Sequence, residues 1–393
     1  MSFIKNKALI LALALGHAYS STALDVSTPL PTSLGSGSKK ANVNKNNNVV
    51  ADKYPKAMKF EQEKSHANIY KGFNPFVAKK ITVVFEHSEV DVPGVAEFAS
   101  SKITSKELHE IRNRVIDYFI EHDYLIPQVH FDQKEIKSGV LKINVHADSI
   151  HHVVIFGPGE NNSLMQEYAS IITSSGPAKR SLVQRYLGLM NKIPGFEISY
   201  KLDENKSHHT ELLIETIQNK VAVFTGADNY GDKDIGKYQF NALAEVYNPF
   251  SSRDAIILHG ATSDHPKRLS DVGIAYKNIF NSHGTTVNLF AAHTSDNPYK
   301  ASSADNTNKG KGYNLRGAIT HPIFLSARHD LEFEIGAHYH NLKSKILENH
   351  LSEDYKNSKY TKGDIGLTYH CKDDLEAKNI LKTSLYLQLK RKI

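Results

Sequence analysis

Residues Leu331 to His340 read LEFEIGAHYH. In an extended chain Leu331, Phe333, Ile335, Ala337 and Tyr339 point to one side, because successive side chains of a strand face opposite ways. Glu332, Glu334, Gly336, His338 and His340 point to the other. The pattern recurs upstream: within Lys237 to Tyr247, Tyr238, Phe240, Ala242, Ala244 and Val246 oppose Gln239, Asn241 and Glu245. Leu289 and Ala291 oppose Asn288 and Ala292, and Leu381, Leu385, Leu387 and Leu389 alternate with Lys382, Ser384, Tyr386, Gln388 and Lys390. Segments of roughly ten residues that alternate in this way, split by turn residues, are the mark of an antiparallel transmembrane β-barrel. A soluble β-sandwich alternates too. The length of the runs and the charges on the polar face (Glu332, Glu334, Lys382, Lys390) favour the membrane. From residue 219 onward the spacing predicts about eight or nine strands, an incomplete barrel. Gln239, Asn241, Glu245, Glu332, Glu334, His338 and His340 are its candidate lumen-facing residues.

The start of the chain agrees with export. Lys5 and Lys7 precede an apolar run, Ala8 to Leu15, and small residues follow at Ala18-Tyr19-Ser20 and Ser21-Thr22-Ala23. This is the layout of a secretory signal peptide over residues 1–23. The run is too short to cross a bilayer as a helix, which takes about 20 apolar residues. Residues 24–78 are rich in Ser, Pro, Asn and Lys and read as a linker.

Between linker and strands the helical period appears. Ile81 to Phe85 is a β-branched strand. Thr104 and Glu107 form a capping box for a helix with Leu108, Ile111, Val115 and Phe119 on one face. Two strands follow, near Val129 to Phe131 and Val140 to Val145. The order then repeats: strand at His152 to Phe156, helices at Leu164 to Ile172 and Leu182 to Met190, strands at Phe196 to Leu202 and Thr210 to Thr216. The second of these helices presents Leu182, Tyr186, Leu189 and Met190 on one face. Residues 79–148 and 149–218 are thus two α/β repeats, expected as β-α-α-β-β.

Composition excludes other chemistry. The 393 residues carry a net charge of +6 with no dense basic block, so no nucleic-acid partner is expected. One cysteine, Cys371, makes neither a disulfide nor a thiolate cage. There is no Gly-x-Ser-x-Gly elbow and no phosphate-binding loop, and His109-Glu110 lacks the second histidine of a zinc-protease helix. Of the 21 histidines, the pairs His151-His152 and His208-His209 point to opposite faces, and His338 and His340 read as lumen lining beside Glu334. No enzyme activity, cofactor or metal is expected.

Three stretches together resemble a known family. "GVLKINVHADSIHHVVIFG" resembles the passage from one polypeptide-transport-associated (POTRA) domain to the next, and "RYLGLMNKIPGFEISYKL" with "TELLIET" the close of the second. "TGADNYGDKDIGKYQFNALAEVYNPFSSRDAIIL" is similar to the first barrel hairpin of two-partner secretion transporters, the hemolysin activation/secretion family. Asp228, Asn229, Gly231, Gly236, Asn248, Pro249 and Asp254 stand where that family has turn residues. Thr320 to Phe324, THPIF, looks like its later Tyr-Pro strand with His321 in the tyrosine's place. The resemblance implies an outer-membrane barrel of about sixteen strands with POTRA domains in the periplasm. They catch the N-terminal secretion domain of an unfolded partner exoprotein, a hemolysin or adhesin, for export without ATP. Outer-membrane lipid and the barrel-assembly machinery are the other implied partners. The chain departs from the family in its strand number, in lacking the pore motif Val-Arg-Gly-Tyr, and in lacking a terminal aromatic. Leu315-Arg316-Gly317-Ala318 resembles that motif in letters but falls in a strand pattern, so it is assigned to the wall. The alternatives are a truncated, pore-incompetent periplasmic adaptor and an assembly-type insertase.

Overall fold

The computed structural model describes residues 74–132, 138–204, 209–231, 236–297, 307–326, 329–348, 352–372 and 380–392. The expected signal peptide and all but the last residues of the expected linker lie outside them. Those last residues are folded: β1 (Phe76–Val77) pairs with β4 (Lys102–Ile103), and Ala78 is fully buried.

The first α/β unit is built on a sheet ordered β3-β2-β6-β5. Its strands are β2 (Lys80–Phe85), β3 (Ser88–Val90), β5 (Pro127–Asp132) and β6 (Val140–Ala147), with β2 and β6 parallel. Helix α1 (Ser105–Glu121) lies across it and buries Leu108, Ile111, Val115, Ile116 and Phe119 against Val83, Leu141, Ile143 and Val145. Its start is the capping box read from the sequence. The Thr104 hydroxyl accepts from the Lys106 amide at 3.2 Å, and the Glu107 carboxylate accepts from the Thr104 amide at 2.9 Å. The expected β-α-α-β-β order fails here in one place. Among its described residues this unit has a single α-helix, preceded by a 3-10 turn at Ala96–Phe98. Pro93 and Gly94, the latter at φ 77°, break the chain just before that turn and leave too few residues for a first α-helix.

The second unit has the full order. β7 (His152–Phe156), α2 (Ser163–Ser174), α3 (Arg180–Asn191), β8 (Phe196–Glu204) and β9 (Thr210–Gln218) form a sheet β7-β9-β8 under two helices. The Asn162 carboxamide oxygen caps α2, accepting from Leu164 and Met165 amides at 3.1 and 3.2 Å. The buried face of α3 is wider than the sequence suggests. Val183 and Leu187 are fully buried, whereas Leu182 sits at the rim. The reason is that α3 covers two surfaces, its own sheet and the strand sheet beyond it.

The rest is one antiparallel sheet of nine strands in chain order, so the count expected from alternation holds. They are β10 (Val221–Asp228), β11 (Gln239–Tyr247), β12 (Asp254–Ser263), β13 (Leu269–Ile279), β14 (Thr286–Asp296), β15 (Thr307–Leu325), β16 (His329–Glu348), β17 (Ser352–Lys372) and β18 (Ile380–Lys392). β10 and β18 are its edges, and the sheet does not close. No described helix is long and apolar enough to cross a membrane.

The capping box gives a prediction. Hydrogen bonds from the Thr104 side chain and backbone hold the Glu107 carboxyl below its ordinary 4.5. The stabilisation is therefore complete above pH 4.5 and is lost as pH falls through the lowered folded value. Thr104→Ala should speed amide exchange over residues 105–108 about fivefold at neutral pH, as read by hydrogen-exchange mass spectrometry on the whole chain. Wild-type exchange there should rise toward the same rate under acid.

Candidate functional site

The nine-strand sheet has two chemically distinct faces. On one, Val223, Phe240, Leu258, Val272, Ile274, Leu289, Leu315, Ile335 and Ile365 stand exposed, with Val223 at 65%. Isolated apolar residues on a surface need no explanation, but a continuous belt of them on adjacent strands marks contact with lipid or protein. On the other face Glu245, Ser263, Glu334, His338, Asp364 and Thr368 are buried. Gln239, Asn241 and Glu245 share that face, opposite Ser263, Ala261 and Ile257 of β12.

Several of these polar groups are tied to one another. Arg316, from Leu315-Arg316-Gly317-Ala318, lies in the wall strand β15. Its Nη2 donates to Glu334 on β16 and, at 3.2 Å, to Asp364 on β17, so one guanidinium spans three strands. Asn314 Oδ1 meets the His338 Nε2 ring nitrogen and, at 3.2 Å, the His340 Nδ1. The His340 ring stacks on Tyr360 with centroids 4.9 Å apart. Glu245 accepts from the Tyr247 hydroxyl. Arg316, Asn314 and Asp364 complete this network and were not among the candidate residues. Alternation assigns a residue to a face but does not say which residue lies beside it on the next strand. Among the described residues no group of three or more His, Cys, Asp or Glu is placed to hold a metal ion.

The family-type turn residues fall at two places. In the β10–β11 turn, the Asp228 carboxylate accepts from the Tyr230 amide at 3.0 Å, Asn229 is exposed, and the Gly231 amide donates to Lys237 O at 3.1 Å. Gly236 has φ 136°, and a Cβ there would sit 2.2 Å from Asp264 Oδ1, so only glycine fits beside the β12–β13 turn. In the β11–β12 turn, the Asn248 amide donates to Asp254 O at 2.7 Å and half-buried Pro249 follows. Asp254 is fully buried; Oδ1 accepts from the Ser251 amide at 3.1 Å and Oδ2 from the Tyr276 hydroxyl at 3.0 Å. The Asn248 Nδ2 also reaches out of the sheet to Pro194 O at 3.1 Å, in the second α/β unit.

That contact belongs to a larger joint. Lys192, just past α3, places its Nζ 2.6 Å from Asp330 and 2.6 Å from Glu332 on β16. Glu332 thus shares the polar face but is bound by a residue of the second unit at the sheet's near end. Burial alone would lower the Lys192 ammonium; Glu332 and Asp330 outweigh it and raise its pKa, so it stays charged. Arg185 of α3 donates to Pro322 O at 3.0 Å, Ile323 O at 3.3 Å and His283 O at 3.4 Å. Asn162 Nδ2 donates to Ser252 O at 2.8 Å. Beneath the polar ring, Ile279 and Leu325 of the sheet join the core of the second unit beside Leu189. Gly188 permits this approach, since a Cβ there would sit 2.8 Å from Leu325 Cδ2.

Two substitutions test these assignments. Arg316→Met strands Glu334 and Asp364, and should lower sheet stability by about 3 kcal/mol, the cost of leaving buried charge unpaired. Arg316→Lys should recover part of it, because a single nitrogen, Nη2, makes both contacts. Lys192→Ala leaves Asp330 and Glu332 facing each other. With the lysine side chain 27% exposed, a cost of about 2–3 kcal/mol is expected, below the full buried-pair value. Adding Asp330→Asn and Glu332→Gln should recover most of it. The melting temperature of the strand signal in circular dichroism reads both.

No family model matches the chain. The heme/hemopexin transporter protein HuxB of Haemophilus influenzae is 18% identical over 273 residues, covering 68% of this chain and 47% of that protein. HuxB of strain 86-028NP is 19% identical over 254 residues, covering 62% and 44%. The chain spans about half the length of the curated relatives it matches. Among solved structures, CdiB from Escherichia coli superposes with a TM-score of 0.58 at 14% identity, over 86% of this chain and 62% of that one. CdiB from Acinetobacter baumannii gives 0.53 at 13%, over 81% and 62%. The likeness to two-partner secretion transporters read from the sequence therefore holds at two levels: the chain is a sequence homologue of HuxB, and it shares with CdiB the fold of POTRA units leading into outer-membrane β-barrel strands.

Proposed function

We propose that this chain works as an outer-membrane transporter of the two-partner secretion class. Residues 1–23 act as the export signal and 24–78 as a linker; 79–148 and 149–218 are POTRA domains in the periplasm; 219–393 contribute barrel wall. The observation that carries this reading is the sidedness of the nine-strand sheet: large apolar side chains stand exposed on one face, while the buried charged and polar groups lie, among small and apolar ones, on the other. Lipid satisfies the first face and a water-filled lumen the second. The POTRA units supply the capture step. β8 is hydrogen-bonded in its sheet to β9 alone, and such an edge accepts an extended peptide through backbone hydrogen bonds. The cargo is an unfolded exoprotein of the hemolysin or adhesin type, recognised through its N-terminal secretion domain and passed outward without ATP.

A second reading is a periplasmic adaptor whose POTRA pair binds the same partner without a competent pore. The open β8 edge serves that reading as well, since peptide capture there needs no barrel. One experiment separates the two. After expression in a Gram-negative host, the transporter reading expects the chain in the outer-membrane fraction, with heat-dependent gel migration and a co-expressed partner in the medium. Recovery in the soluble periplasm, with no heat shift and the partner retained, would sink it and select the adaptor.

A further inference from the structure

Helix α3 is held at both ends by parts of the chain outside its own unit. Its N-cap residue, Lys179, supplies no side-chain cap. The cap comes instead from the first unit. Asp123 Oδ1 accepts from the Ser181 amide at 2.8 Å, Oδ2 from the Ser181 hydroxyl at 2.5 Å, and Asp123 O from the Arg180 amide at 2.9 Å. Asp123 reaches this position with a left-handed backbone, φ 71°, directly after α1. A carboxylate there also meets the positive end of the α3 dipole. The neighbouring backbone is zipped as well: the Leu125 amide donates to Ala178 O at 2.8 Å, and Lys179 Nζ lies 3.3 Å above the Tyr124 ring. Leu125 enters the same core cluster that receives Ile279 and Leu325 from the strand sheet. Midway along, Arg185 reaches Pro322 O on β15 and His283 O in the β13–β14 turn, and just past its other end Lys192 reaches Asp330 and Glu332 on β16. Between these attachments lies a cavity of about 240 Å³, lined by Ile120 and Asp123 of the first unit, Gln184 of α3, and Phe324 and Leu325 of the sheet.

We infer that α3 is a strut that couples the orientation of the first α/β unit to the near-end turns of the strand sheet, with Asp123 as the positioning residue at one end and Lys192 at the other. Twelve residues of helix give it a length of about 18 Å, and it transmits because neither end can shift without breaking contacts at the other. The coupling is a property of the joint alone and stands whether or not the chain exports a protein. Two fixed ends on one rigid element make the effect reciprocal.

Hydrogen-exchange mass spectrometry on the full chain in detergent tests it. Asp123→Ala should speed exchange at residues 180–184 about fivefold, the size of a lost cap. It should also speed exchange at residues 329–332, which lie beyond the cavity that Asp123 lines. Asp123→Asn keeps an oxygen that accepts from the Ser181 amide and should stay near wild type in both segments. Lys192→Met should, in turn, loosen residues 123–126 and 178–181. Changes confined to the mutated end overturn the strut. Should Lys192→Met not fold, the response of residues 329–332 to Asp123→Ala decides alone: unchanged exchange there refutes the inference.

Discussion

A backbone surrounded by lipid has no water to bond to, so each strand must be paired along its length by the next one. Under the proposed outer-membrane reading, that constraint governs the second half of this chain. Pairing forces the strands into a sheet; the sheet forces side chains to alternate; alternation sorts residues into a face for oil and a face for water. Polar groups on the inner face then need partners, because neighbouring side chains shield them from solvent. The two charge clusters answer in the same way, each with one cation between two carboxylates: Arg316 between Glu334 and Asp364, and Lys192 between Asp330 and Glu332. A buried pair seldom adds stability over an apolar packing of equal volume, but its bonds have direction. Here each fixes one neighbour relation, strand to strand in the first case and unit to sheet in the second.

How much of this was legible depended on whether the signal was local. The Thr104–Glu107 box lies within one turn, and it appears in the structure as read. The alternation at Leu331 to His340 is equally local, and β16 runs through it. The assignment of Leu315-Arg316-Gly317-Ala318 to the wall rested on the same period. What the pattern leaves out are partners far away in sequence. Nothing local says that Asn314 lies between His338 and His340. Lys192, 140 residues before Glu332, is likewise invisible to a strand pattern. Tyr186, Leu189 and Met190 are buried as read, and Val183 and Leu187 widen the face because α3 packs against two bodies where a helix read alone shows one stripe. In the first unit Pro93 and Gly94 stand where the second unit has its first helix, and only a 3-10 turn fits there.

The second α/β unit is the keystone of the described chain, and the chemistry of its two joints explains why. Units within a chain are free to move unless the contact between them is large and apolar. Leu125 from one side, and Ile279 with Leu325 from the other, enter a single core cluster, so the second unit shares apolar packing with both neighbours. The polar contacts around that core have a different task. The turns at the near end of the sheet present backbone carbonyls (Pro322, Ile323, His283, Ser252) that need donors, and an apolar helix would leave them unpaired. Arg185 serves three of them with one rigid fork, which a lysine's single ammonium could not do with the same geometry. Apolar contact holds the bodies together; the guanidinium decides at which angle. A relative motion of either neighbour must therefore expose core side chains and strand carbonyl groups together, which makes the joint stiff toward small displacements and cooperative toward large ones.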